Sequence, residues 1–263
     1  MDIDIIELSD TKARFVLNDV EPAIANGLRR IMLAEVPTMA IDYVNIYDNT
    51  SVLFDEQIAL RIGLIPLMTD LESYVLPEDC ACDGEGCTIC QLSLNLSAEG
   101  PKMIYSGDLL SSDPKVTVAD RKIPIIDLKE RQTLVLEAVA KLGIGRKHAK
   151  WQAGVGCGYK NMPVITINEE CDSCGRCVDE CPRNILEIND DKLEVTDLLK
   201  CNLCKLCMGV CDINAIDVTE VPNSYIFTME SDGSYPAKEL LIQGADTIIQ
   251  KAGKLKEILS ELE

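Results

Sequence analysis

Eight of the thirteen cysteines fall into two runs, Cys171-x2-Cys174-x2-Cys177-x3-Cys181-Pro182 and Cys201-x2-Cys204-x2-Cys207-x3-Cys211. Three thiolates at two-residue spacing can wrap one corner of an iron–sulfur cube, and a fourth from outside that loop closes the site. Two runs therefore provide for two [4Fe–4S] clusters. Zinc knuckles and disulfides are the alternative, but zinc hooks usually come as two separated C-x2-C pairs. A third set, Cys80-x-Cys82-x4-Cys87-x2-Cys90, places four thiolates within eleven residues, enough for one tetrahedral Zn2+. Gly84 and Gly86 give that loop the freedom to fold back on an ion. Cys157 stands outside all three sets and reads as a small apolar residue. His148 is the only histidine and has no recognisable catalytic partner, so nucleophilic chemistry through histidine is not expected.

A shift of thirty residues lays Asn184-Ile185-Leu186-Glu187-Ile188 on Asn214-Ala215-Ile216-Asp217-Val218. An internal repeat is the mark of a pseudo-symmetric module. The segment from about Val164 to Val218 resembles the two-cluster bacterial ferredoxin, in which the fourth cysteine of each run serves the other cluster. That resemblance implies one cluster on Cys171, Cys174, Cys177 and Cys211, and another on Cys201, Cys204, Cys207 and Cys181. Asp212 stands where the pattern has a proline.

The 263 residues suffice for two or three domains, and 47% hydrophobic with 26% charged residues is a globular composition. With 25 basic and 44 acidic residues the net charge is −19, so the chain as a whole repels phosphate backbones. Work on DNA is expected only indirectly, through partners. The start, Met1-Asp2-Ile3-Asp4, lacks the basic and apolar regions of a signal peptide, and no apolar run reaches the length of a membrane span. The expected location is cytoplasmic, where thirteen cysteines point to metal rather than disulfides.

The elements that must carry these sites follow from periodicity. Ile3–Leu8 and Lys12–Leu17 read as a hairpin. A helix is expected from Pro22 to about Glu35, stopped by Pro37, with Arg29 and Arg30 on a stripe beside the apolar one. Lys115–Ala119 and Ile123–Ile126 read as extended segments, and Glu130–Leu142 has helical spacing. The basic run Lys141, Arg146, Lys147, His148 and Lys150 could touch nucleic acid or an acidic partner, or be a solvated loop. Trp151 and Cys157, at the glycine-rich Ala153–Tyr159 stretch, are expected to pack or turn, and Tyr225–Glu230 to form a strand. Pro236 opens a final helix. Its Leu241, Ala245, Ile248, Ala252, Leu255, Leu259 and Leu262 alternate spacings of four and three, a heptad seam suited to a partner helix.

Asn26-Gly27-Leu28-Arg29-Arg30-Ile31-Met32-Leu33-Ala34-Glu35-Val36-Pro37-Thr38-Met39-Ala40-Ile41 closely resembles the assembly helix and following strand of the α-type subunit of multisubunit RNA polymerases. Ala59-Leu60-Arg61-Ile62-Gly63-Leu64-Ile65-Pro66-Leu67 is similar to that family's second signature. The resemblance implies a scaffold that pairs with a small partner, subunit L, and seeds assembly of the two large subunits. Arg29 and Arg30 would then contact a large subunit, and Leu241, Ile248 and Leu255 would belong to the dimerisation surface. The Cys80–Cys90 loop resembles the zinc loop of the eukaryotic counterpart. No acidic run like the magnesium-binding aspartate cluster of the large subunits is found, so no catalytic site is expected here.

The expected fold class is α+β. A discontinuous dimerisation scaffold, residues 1–50 and 219–263, is interrupted by an inserted α+β domain over 51–163 and an inserted ferredoxin-like domain over 164–218. The cysteine runs taken alone would equally suit an electron-transfer subunit of an oxidoreductase. The two polymerase-like signatures and the heptad helix speak against that reading.

Overall fold

The computed structural model describes residues 1–261, so Leu262, the last member of the expected seam, lies outside the described residues. In chain order the elements are β1 (Asp2–Leu8), β2 (Lys12–Asn18), α1 (Pro22–Ala34), β3 (Thr38–Asn49), α2 (Asp55–Gly63), β4 (Gln91–Glu99), β5 (Lys102–Tyr105), β6 (Leu110–Ser111), β7 (Pro124–Leu128), β8 (Thr133–Gly143), β9 (Gly154–Ile167), α3 (Arg176–Glu180), β10 (Leu186–Asn189), β11 (Lys192–Val195), α4 (Leu206–Gly209), β12 (Ile216–Ser231) and α5 (Ala237–Ser260). The fold class is α+β, as expected. Two compact units are present. One comprises Met1–Glu7, Arg14–Asn26 and Gly158–Thr228; the other comprises Leu8–Ala13, Gly27–Cys157 and the described residues from Met229 onward.

In the first unit the strands follow the order β1-β2-β12-β9. Successive residues of a strand face opposite sides. Phe15, Phe227 and Tyr159 stack on one face, with centroids 5.1 Å apart for Phe15–Phe227 and 5.1 Å for Tyr159–Phe227. Their neighbours Arg14, Thr228 and Lys160 consequently fall on the other. The stretch between β9 and β12 has its own small core, in which Cys177, Cys181, Cys201 and Cys207 are buried among Ile185, Leu186, Leu193, Ile216 and Val218. There β10 pairs antiparallel with β11, Leu186 opposite Val195.

The second unit is organised on a sheet of order β3-β8-β4-β6, with β8 paired antiparallel to both β3 and β4. This corrects the helical reading of Glu130–Leu142. The segment is rich in Leu, Ala, Glu and Lys, which favour helix, yet Leu134, Leu136, Ala138, Ala140 and Leu142, every second residue, are all buried, with Val139 buried on the other face. Pairing on both edges overrides local propensity. Cys157, expected to pack or turn, packs half-buried within β9. α2 sets Ile58 and Ile62 into the core beneath this sheet, with Leu67, Leu94 and Leu128.

Gly244 of α5 lies so near α1 that a Cβ there would come within 2.8 Å of Met32 Cγ. Glu35, just past α1, receives Lys251 Nζ at 2.7 Å and also pairs with Arg146. Asp70 shows how the loop before the cysteine set is held. Hydrogen bonding from Ser73, then from the Glu72 backbone and the Lys115 ammonium, lowers its carboxyl to about 2 against the opposing cost of burial. A carboxylate depressed on folding adds stability above its unfolded value, near pH 4, that is lost as pH falls through about 2. Asp70→Asn is expected to be less stable than wild type at pH 7 and to show a flatter acid limb between about pH 4 and pH 2, as read by urea titration at each pH. Identical pH profiles would show that Asp70 contributes nothing there.

Candidate metal centres and assembly surface

Cys80 ends a 3-10 turn (Pro77–Asp79) and Cys90 immediately precedes β4, so both ends of the first cysteine loop are anchored, and both thiols are buried. Gly84 and Gly86 take φ of +80° and +104°, left-handed values that turn the chain back between the two pairs. The sulfur separations are 3.4 Å for Cys80–Cys82, 3.5 Å for Cys80–Cys87, 3.5 Å for Cys82–Cys90 and 3.8 Å for Cys87–Cys90. Disulfides would need sulfurs about 2 Å apart. A tetrahedron with metal–sulfur bonds of about 2.3 Å has edges of about 3.8 Å, so these four thiols fit one tetrahedral ion. The Gly86 backbone N–H, with Cys80 and the other thiols, lowers Cys82 to about 6, against the cost of burial. Cys80 rises to about 12: a backbone hydrogen bond at Cys82 opposes the rise, and burial with the neighbouring thiols outweighs it. One thiolate is thus ready at neutral pH, and an incoming cation would displace the remaining protons.

The eight remaining paired-run cysteines are arranged differently. One recess is lined by Cys171, Cys174, Cys177 and Cys211, and another by Cys181, Cys201, Cys204 and Cys207. Among the described residues only the Cys80 set brings its ligand atoms within 4.8 Å of one another. The sulfurs around the two recesses stand further apart. Cys174 and Cys204 are exposed, whereas Cys177, Cys181, Cys201 and Cys207 are buried.

The backbone repeats with the cysteines. Ser173 and Leu203, Gly175 and Lys205, and Asn184 and Asn214 all have positive φ, each pair thirty residues apart. Gly175 and Lys205 occupy the N-cap positions of α3 and α4. Asn184 and Asn214 each donate their N–H to the carbonyl of the fourth cysteine, Cys181 or Cys211, at 3.1 Å. Asp212, where a proline would complete the second run, pairs with Arg176 of the first.

Cys157 is half-buried in β9, and burial pushes its thiol to about 11, against the opposing field of Arg29. His148 Nδ1 accepts the N–H of Lys150 at 3.1 Å and caps a 3-10 turn. The cations of the basic run around it are all ion-paired within the chain. Lys150 meets Asp42 at 2.9 Å, Lys141 meets the same carboxylate at 3.8 Å, Arg146 pairs with Glu35, and Lys147 pairs with Glu78.

The description RNA polymerase Rpb3/Rpb11 dimerisation domain matches residues 14–252. The chain belongs to the Rpo3 family of DNA-directed RNA polymerase subunits. It is 57% identical to DNA-directed RNA polymerase subunit Rpo3 of Methanosarcina acetivorans over 100% of this chain and 99% of that protein. Identity is 58% with the Methanosarcina mazei subunit over the same shares, and 45% with that of Archaeoglobus fulgidus over 100% and 99%.

In this Rpo3-family chain the expected assembly residues are dispersed over α1 and α5. Arg30 is exposed, whereas Arg29 is half-buried and engaged within the chain. On α5 the face turned to the chain's own core is Ala237, Leu240 and Gly244. Leu241 and Ile248, one stripe round, are half-buried, and Leu255 and Leu259 are 58% and 55% exposed. Sequence reasoning did not single out Glu35. Glu35 carried a usable signal, since a carboxylate directly after the arginine-bearing helix would seek a cation. Among the described residues no helix is long and apolar enough to cross a membrane.

Proposed function

We propose that this chain is a non-catalytic assembly subunit of DNA-directed RNA polymerase, working in the cytoplasm. It pairs through α5 with an Rpb11-like partner, subunit L, and docks the large subunits through α1 and the surface around α2. The observation that carries this reading is α5: a 24-residue helix whose own-core face is short and whose seam runs uncovered from Leu255 to Leu259. Apolar rows of that kind are what a partner helix covers. Phe54, Leu60 and Leu64, exposed at 75%, 65% and 57%, make a second apolar surface at α2 suited to a large subunit. Arg29 and Arg30 lie within the first signature, Arg30 the more exposed, and DNA is reached only through the complex.

The residues fit the metals. Cys80, Cys82, Cys87 and Cys90 would hold one zinc ion. The segment 164–218 is a ferredoxin-like insertion in which Cys171, Cys174, Cys177 and Cys211 would hold one [4Fe–4S] cluster, and Cys181, Cys201, Cys204 and Cys207 the other. Cysteines spread around a recess suit a cube rather than a lone ion, and the crossed assignment agrees with which four line each recess. Such clusters supply one-electron chemistry when bound; the chain's own residues position the thiolates and bury half of them. We assign the clusters a structural role, holding the insertion in shape and tying assembly to iron supply and oxygen. Exposure of Cys174 and Cys204 leaves electron transfer as the second reading.

Affinity capture of the anaerobically prepared chain separates the two. Recovery of subunit L and the large polymerase subunits is expected, and recovery of a flavin or hydrogenase partner without them would overturn the assembly reading. For the zinc loop, Cys82→Ser is expected to lower bound zinc from one per chain while leaving iron unchanged, and to open the Asp83–Glu85 turn to proteolysis. Structural zinc contributes on the order of 10 kcal/mol to the element it closes. Unaltered zinc in the variant would dismiss this assignment.

A further inference from the structure

The cations that cluster in the sequence, Lys141 to Lys150, are engaged by carboxylates of this chain; most of those that the fold gathers from distant positions are not. Arg14 of β2, Lys160 of β9, Arg183 and Lys200 line an open recess of about 450 Å³ together with Pro182, Leu199 and Thr228. Arg14, Thr228 and Lys160 come from strands that are neighbours in the order β2-β12-β9, on the face opposite the stacked aromatic rings. Lys200 shares its charge with Asp197 at 3.1 Å, while Arg14, Lys160 and Arg183 form no ion pair among the described residues. In a chain of net charge −19, three uncompensated cations around one recess mark a place that attracts negative charge.

The recess is also braced. Arg14 donates to the Leu199 carbonyl at 3.0 Å, and Lys160 donates to the same carbonyl at 2.8 Å and to that of Cys201. Two carbonyls satisfy only part of the donor capacity of a guanidinium and an ammonium. The rest, with Arg183 and Lys200, is available to a ligand presenting several oxygens.

The geometry points to a binding site for a small, multiply charged oxyanion of the phosphate class at Arg14, Lys160, Arg183 and Lys200. Guanidinium forks match phosphate oxygens in pairs. A recess rather than a stripe, within a strongly acidic chain, suits a compact anion rather than a long polyanion, which the surrounding carboxylates would repel. An anion seated there would bridge the β2–β12–β9 face to the Pro182–Arg183 and Leu199–Lys200 loops, each adjoining a cysteine of one run.

Calorimetric titration of the full chain, prepared anaerobically, with pyrophosphate and separately with orthophosphate tests this. One saturable site is expected, tighter for pyrophosphate and weakened by added salt. Arg183→Gln with Lys200→Gln is expected to weaken it roughly tenfold or more, whereas Lys192→Gln, an exposed lysine of β11, leaves it unchanged. Arg183→Gln alone, an exposed loop position, gives the same direction should the double variant fold poorly. Hydrogen exchange over 182–200 slows on binding if the loops are bridged. Absence of a saturable site, equal affinity in the Arg183 variants, or tighter binding of a short single-stranded oligonucleotide or an acidic peptide than of pyrophosphate would overturn the assignment.

Discussion

Cys174→Ser combined with Cys204→Ser is expected to strip most of the iron and inorganic sulfide from the chain and to melt the stretch between Cys171 and Cys211. The reason lies in what that stretch has in place of a core. Four of the nine buried residues in its small core are cysteines, leaving Ile185, Leu186 and Leu193, with Ile216 and Val218 of β12, to hold it together. So small an apolar set cannot offset the ordering of some forty residues. Structural metal sites contribute on the order of 10 kcal/mol to the element they close, about as much again as those five buried side chains supply together. Both substituted thiols are exposed, so the change removes ligands without opening a cavity. Iron and sulfide assays, limited proteolysis and reconstitution of polymerase from separate subunits read the result. Full metal content, or unchanged assembly and activity with the metal gone, would remove the structural role assigned to the clusters.

Leu255→Asp with Leu259→Asp should leave the isolated chain as stable as wild type, within about 0.5 kcal/mol, because both side chains are more than half exposed. Pairing with subunit L should weaken by about 3 kcal/mol, roughly a hundredfold, since two carboxylates would be buried against a partner's apolar row. Size-exclusion chromatography of the mixed subunits, with a denaturation curve of each variant alone, distinguishes lost pairing from lost folding. Pairing at wild-type strength would move the dimer surface off the end of α5.

Much of this was legible in the residues because it is local. The hairpin β1–β2, helix α1 stopped by Pro37, and helix α5 opened after Pro236 all lie where turn chemistry and periodicity put them. The cysteine spacings pointed to the Cys80 set, which the fold brings to one point. What could not be read is non-local. Nothing within Thr133–Gly143 reveals that it will be flanked by β3 and β4, so its helix-favouring composition misled. The ion pairing of the basic run was equally out of reach, because its carboxylates, Glu35, Asp42 and Glu78, lie some sixty to more than a hundred residues away. Arg14, Lys160, Arg183 and Lys200 show the converse, a charge concentration with no trace in any single window. On α5 the heptad spacing was visible, but which stripe the chain keeps for itself was decided by Gly244 meeting Met32.

The N–H of Asn168, just after β9, donates to the carbonyl of Ala215, just before β12, at 2.9 Å. The forty-six-residue excursion between these two positions therefore departs and returns through a gap no wider than one hydrogen bond. A chain built so can exchange that excursion for a tight turn without moving the strands on either side. The cysteine-rich stretch is thereby a detachable cassette, one that related chains could shorten, strip of its thiolates or omit while the underlying frame persists.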